Sequence, residues 1–275
     1  MSKVFLLLMS LVLCAAVAAQ TAAPQRIVSM NVCTDQLLLL LVDKARITSV
    51  SQFAADPLYS SFADAAAGIT LNRGQAEQVM QLQPDLVLTS MFSATLAATV
   101  LQRLHRRVER LGFATTRDDV YRQIAQLGAW TGEDEKAAAV IADMRSGIDR
   151  QIAALTPLLR GRKAVMLSSN GVAFGGGTLQ DDFLHSVGLH NIAADAGLHG
   201  PAKLSLELLL AAAPDYVITE PRGDIDRQQA HPVLLHPGLA REHVRQLALA
   251  DRWFDCAGPW LTTAYESLAA QLVTP

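Results

Sequence analysis

One pattern occurs twice along this chain and constrains its fold more than any other feature. Glu77 is followed seven residues later by Pro84-Asp85-Leu86-Val87-Leu88, and Glu207 seven residues later by Pro214-Asp215-Tyr216-Val217-Ile218. Each copy joins the end of a helical segment to a short apolar run of the kind that forms a buried parallel strand. The two halves also open alike. Arg26-Ile27-Val28-Ser29-Met30 leads through a polar loop into a helical pattern at 35–42, and 163–168 leads through a glycine loop into another at 181–187. Repetition at this separation predicts two copies of one α/β unit.

Apolar runs at 26–30, 47–51, 85–89, 163–168 and 216–219 read as strands, with helical patterns between them. Parallel neighbours need a crossover, so this alternation predicts mostly parallel sheets. Between the copies, 118–155 carries no strand signal, while Ala137, Val140, Ile141, Met144, Ile148, Ile152 and Leu155 fall on one face at helical spacing. A helix over 133–155 would be about 35 Å long, stopped by Pro157 and Gly161. That length bridges two lobes; the alternative is a surface helix of one larger domain. The expected fold class is α/β, two Rossmann-like lobes with mostly parallel sheets joined by a single long backbone helix. The expected boundaries are an N-terminal lobe at 24–117, a connecting helical segment at 118–158 and a C-terminal lobe at 159–275.

Ahead of the first lobe, Lys3 precedes the uncharged run from Val4 to Val17 and the small residues Ala18 and Ala19. A spanning helix needs roughly 20 apolar residues, so 1–19 reads as a secretory signal peptide cleaved within Ala16 to Ala23. A periplasmic location follows as an expectation. Export leaves Cys33 and Cys256 where a disulfide persists if the two are close, and the sequence leaves their pairing open. With a net charge of −3 and no basic cluster beyond 103–110, a nucleic-acid partner is set aside.

Five segments follow one another in a familiar order: 26–31 with Asp35 in the next helix, 77–88, Leu127-Gly128 with Gly132, 188–192, and Leu204-Ser205-Leu206-Glu207. In these the chain resembles the cobalamin and ferric siderophore binding proteins of ABC importers. The resemblance implies a periplasmic substrate-binding protein that captures a metal chelate, a ferric siderophore or cobalamin, between its lobes and delivers it to an ABC permease dimer in the inner membrane. Haem or a bare divalent metal is the alternative ligand, and an exported hydrolase a remote alternative function. The resemblance further implies that exposed Glu77 and Glu207 pair with arginines of the two permease subunits. A carboxylate in a first helical turn also gains about 0.3–1 kcal/mol from the helix dipole, which alone accounts for either. The family often has Pro and Thr-Glu where this chain has Asn31-Val32-Cys33-Thr34-Asp35, so ligand choice does not transfer.

In open α/β sheets ligands sit beyond the carboxyl ends of strands. The loops there carry Asn31, Phe53, Tyr59, Met91 and Phe92 in the first half and Asn170, Phe174, Arg222 and Trp260 in the second. Aromatic faces cover an apolar ligand body while a few polar groups orient it. Arg73 and Arg222 are candidates for an anionic ligand edge, and Asn72 and Ser205 for N-caps of the helices bearing the two glutamates. Gly175-Gly176-Gly177-Thr178 reads as a tight turn capped by Thr178, since it lacks the spacing of a phosphate loop. Catalysis is not expected, because there is no G-x-S-x-G elbow and Cys33 has no assigned histidine. None of the seven histidines forms a compact metal motif, so no protein-held metal or cofactor is expected. Any iron or cobalt arrives chelated in the ligand. The chain is expected to act as a monomer.

Overall fold

The computed structural model describes residues 22–221, 236–239, 244–256 and 258–273; the expected signal peptide and Arg222 lie outside them. Two separate parallel sheets form the two lobes. The first contains β1 (Ile27–Ser29), β2 (Ile47–Ser51), β3 (Thr70–Asn72), β4 (Leu86–Ser90) and β5 (Val108–Leu111) in the order β3-β2-β1-β4-β5. The second contains β6 (Lys163–Met166), β8 (His190–Asn191), β10 (Tyr216–Thr219) and β11 (Arg245–Ala248) in the order β8-β6-β10-β11. A small antiparallel pair, β7 (Val172–Phe174) with β9 (Pro201–Lys203), is attached to the second lobe. Helices α1 (Val32–Leu41), α2 (Ala76–Gln81) and α3 (Thr95–Arg103) cover the first sheet, and α6 (Leu179–Ser186), α7 (Ile192–Asp195), α8 (Leu206–Ala212), α9 (Arg252–Asp255) and α10 (Leu261–Val273) accompany the second. Between them run α4 (Arg117–Thr131) and α5 (Asp134–Leu159). No helix of the described residues is long and apolar enough to cross a membrane.

The internal repeat is structural. The arrangement β2-β1-β4-β5 in one lobe is repeated by β8-β6-β10-β11 in the other. The repeated Pro-Asp is a clasp between adjacent strands. Asp85 accepts from the N–H groups of Gln25 (2.7 Å) and Arg26 (3.0 Å), and its own N–H donates to the Arg26 carbonyl. Asp215 accepts from the Lys163 N–H (2.8 Å) and donates its N–H to the Lys163 carbonyl. The preceding helix is closed in the same manner both times. Arg26 donates to the carbonyls of Leu82 and Gln83, and the Lys163 ammonium donates to that of Ala212, so a cation meets the negative end of a helix dipole. Gln83 and Ala213 take φ of 48° and 49°, the left-handed exit that ends a helix before a proline that cannot continue it.

The connecting segment consists of two helices, and the longer one exceeds the expected span. Gly132, with φ of 75°, turns α4 back onto α5. The latter has 26 residues and runs through Pro157 to Leu159. Proline is accommodated there because it lies in the last turn, where the one intrahelical bond it removes is that to the carbonyl of exposed Ala153. The two helices approach closely at Gly128, where a Cβ would lie 2.6 Å from that of Ala137. Along α5, Ala137, Met144, Ile148 and Leu155 belong to one buried cluster that includes Ile27 and Leu37 of the first lobe and Phe183, Tyr265 and Leu268 of the second. Polar contacts reinforce the joint: Arg46 pairs with Glu133 (2.5 Å), and Arg117 with Asp182 (2.8 Å).

Asp35 in α1 is wholly buried and accepts from the Ser51 N–H and hydroxyl. Burial, the larger influence, outweighs these hydrogen bonds and pushes its carboxyl up from 3.8 to about 6. A raised carboxyl binds its proton more tightly in the folded state, so stability is greatest below pH 4 on this account and falls as pH rises through 6, by roughly 3 kcal/mol in all. Asp35→Asn, which resembles the neutral acid, is expected to raise the urea midpoint at pH 7.5 and to flatten its decline between pH 4 and 7; equal destabilisation at pH 5 and pH 7.5 would contradict this. Gly128→Val is expected to cost about 1–3 kcal/mol by forcing α4 from α5, read as a lower melting temperature.

Candidate functional site

Strands of both lobes point their carboxyl ends at a common cleft. Between them lies a cavity of about 460 Å³. From the first lobe it is lined by Asn31 and Cys33 after β1, by Ser90, Phe92 and Ser93 at the end of β4, and by Leu111 to Thr115 at the end of β5; Gln123 of α4 lies among them. The second lobe contributes Phe174 of β7, the turn from Gly177 to Gln180, Gly200 and Pro201, and Phe254 with Asp255 of α9.

The polar part of this lining is pre-positioned by local hydrogen bonds. Asn31 caps α1 by accepting from the Cys33 N–H (3.0 Å) and donates to the Ser93 hydroxyl (2.9 Å). The Thr89 hydroxyl holds the Ser93 carbonyl, and the Gln123 amide donates to the Gly112 carbonyl (3.0 Å). On the opposite wall Thr178 caps α6 by accepting from the Asp181 N–H, as expected, while its hydroxyl donates to the Gly175 carbonyl. Gly175 has no substitute there, because a Cβ would sit 2.3 Å from the Leu198 carbonyl oxygen. The apolar part is aromatic. Phe92 and Phe113 stack with centroids 4.5 Å apart while remaining 68% and 70% exposed. Phe254 is buried edge-on against Phe183.

Charge at the cleft is acidic. Asp255 is the one charged side chain among the described residues lining the cavity. Half-buried Asp251 is pushed up to about 8 by burial first and then by Glu220 and Asp255, and Asp255 to about 6 by burial and then Glu220. Near neutral pH Asp251 therefore retains a proton that a free carboxylate would lose. Among the described residues no group of three or more histidine, cysteine or acidic side chains is arranged to hold a metal.

Of the expected site residues, Asn31, Phe92 and Phe174 meet in the cavity. Phe53 and Tyr59 pack edge-on against each other at 5.4 Å on the surface, outside its lining. Met91 is 55% exposed beside Gly112, and Asn170 lies in the turn before β7, accepting from Ser168. Trp260 is placed in the core: its ring meets Phe62 at 5.8 Å and its indole N–H donates to the Cys256 carbonyl. Arg73 is exposed, its N–H held by Gln78, and Arg222 lies outside the described residues. Cys33 and Cys256 are joined by a disulfide, with Cα atoms 4.8 Å apart. Glu77 and Glu207 are exposed in the first turns of α2 and α8. The backbone N–H of Glu207 first, and then the Ser205 hydroxyl, hold the Glu207 carboxyl below its ordinary value. Ser205 caps α8 as expected, whereas Asn72 does not cap α2; it is buried, donating to the Ser29 carbonyl and Ser49 hydroxyl. Phe113, Gln123, Gln180 and Phe254 were not legible as site residues.

A family described as periplasmic binding protein matches residues 27–241. A cobalamin-binding protein of Halobacterium salinarum is 29% identical over 198 residues, covering 71% of this chain; the chain spans 54% of that relative's length. A vitamin B12-binding protein of Photorhabdus laumondii is 24% identical, covering 91% of this chain and 89% of that protein. Among solved structures, a periplasmic heme binding protein from Pseudomonas aeruginosa aligns with a TM-score of 0.69 at 25% identity, covering 90% of this chain and 92% of that one. With that match running from β1 through β10 and across the long helix between the sheets, the chain belongs to the periplasmic binding protein family.

Proposed function

We propose that this chain is a periplasmic carrier whose preferred ligand is a cobalamin-like chelate, in which the metal is already fully coordinated. The observation that carries this reading is the cavity lining, aromatic and neutral polar, with Asp255 as its one described charge. Haem iron takes an axial side-chain ligand, and its carboxylates favour cationic partners. The described lining supplies neither histidine, tyrosine, lysine nor arginine. A bulky neutral or cationic chelate needs only flat apolar contact and scattered hydrogen bonds, which Phe92, Phe113, Asn31 and Gln180 are placed to give. A ferric hydroxamate siderophore shares this chemistry and is the second ligand to test; an anionic catecholate does not.

Calorimetric titration with cyanocobalamin, haem, a ferric hydroxamate and a ferric catecholate is expected to rank cyanocobalamin first. Tighter binding of haem or catecholate would overturn the assignment. Replacing both Phe92 and Phe113 with alanine is expected to weaken cyanocobalamin by tenfold or more, since buried aromatic anchors are each worth on the order of 1 kcal/mol or above.

Delivery is assigned to Glu77 and Glu207. They open the helices that precede β4 and β10, pseudo-equivalent strands of the two lobes, and both are exposed. A single exposed ion pair contributes little in water, whereas two on a body of fixed shape report lobe separation to a paired permease. The Glu77→Ala, Glu207→Ala double variant is expected to keep its cyanocobalamin affinity within about twofold, because surface substitutions away from a site change little, and to lose uptake in a reconstituted transport assay. Loss of affinity would place these residues in the site instead.

A further inference from the structure

Among the described residues the chain passes between the lobes once, through α4 and α5. The disulfide supplies a second covalent connection. Cys33 lies in the first turn of α1 in one lobe, Cys256 follows α9 in the other, and 223 positions separate them in sequence. The bridge is at the cleft itself, since Cys33 and Asp255 both line the cavity while Cys256 is buried. Next to it Trp260 of the second lobe meets Phe62 of the first. The segment around Cys256 is thus fastened to the first lobe by a covalent bond and an aromatic contact together.

A body attached to another at one place can tilt in several directions, but one attached at two separated places can rotate only about the line joining them. We propose that the Cys33–Cys256 disulfide is a second hinge point, which restricts lobe motion to one axis along the cleft floor and keeps the cavity near its binding width. A tether of this kind acts on ligand affinity through the fraction of molecules with a competent cleft, because apparent affinity falls in proportion to that fraction. Reducing the bond takes two electrons and two protons, supplied by a dithiol that becomes a cyclic disulfide, and leaves two free thiols that no longer hold the lobes. Only the affinity part of the idea rests on the proposed ligand.

The test uses spin labels on ketone-bearing residues introduced at Arg73 and Lys203, exposed positions on opposite lobes, so that the native cysteines stay untouched. Double electron–electron resonance of the ligand-free oxidised protein is expected to give one narrow distance distribution. Dithiothreitol treatment, or the Cys33→Ser, Cys256→Ser double variant, is expected to broaden it. Joining the reduced thiols through one methylene is expected to restore the narrow form. Far-UV circular dichroism must be unchanged by reduction; if the double variant does not fold, reduced and methylene-bridged wild type carry the comparison. Cyanocobalamin affinity is expected to drop roughly tenfold on reduction, corresponding to about a tenth of molecules remaining competent. An unchanged distance distribution in the reduced, folded protein would overturn the hinge. Failure of cyanocobalamin to bind either form would overturn the ligand while leaving the distance result to stand.

Discussion

The shape of the molecule depends on one packing constraint: α5 lays one face against α4 and against α10 of the second lobe, and α4 in turn packs on α1 of the first. A helix satisfies its own backbone hydrogen bonds and resists bending, and here its apolar face is continuous with the interiors on either side, from Ile27 and Leu37 to Phe183 and Leu268. Opening a gap along that face would expose apolar surface at about 25 cal/mol per Å², so the lobes keep their separation. The ligand-facing walls are then free to be loops, tied across the cleft by the Cys33–Cys256 bridge.

The cleft shows a division of labour. Hydrogen-bonding groups on its walls are already engaged with one another, as in the chain from Gln123 to Gly112 and from Asn31 to Ser93, and give shape without a large conformational cost on binding. Phe92 and Phe113 stay mostly exposed, so their burial is a gain that awaits a ligand. The acidic edge of Glu220, Asp251 and Asp255 adds a charge environment that shifts through the neutral range, as burial and mutual repulsion hold Asp251 near 8 and Asp255 near 6.

Much of the fold was readable because its repeat is written in residues with backbone roles. Asp85 and Asp215 clasp neighbouring strands, and Pro84 and Pro214 end helices, so both copies had to keep them. The central strands were likewise visible as apolar runs, being covered on both faces. The edges were not: β5 reads Val-Glu-Arg-Leu and β11 reads Arg-Gln-Leu-Ala, and charged side chains on an edge strand mask its pattern while protecting it from further pairing. Missing β5 meant missing Phe113, which follows it. Trp260 misled for a different reason. An indole behind Gly258-Pro259 suits a cleft loop or a core equally well, and only the position of Phe62, far away in sequence, decides between them.

The clasp at Asp85 also fixes where the folded chain takes hold. The first strand is secured from Pro24 onward: the Pro24 carbonyl accepts from Arg46, and Gln25 and Arg26 are gripped by a side chain 59 or 60 positions away. Ala23 still touches the turn at Gly132. The first strand therefore takes its place through contacts made within the folded lobe, beginning at Pro24.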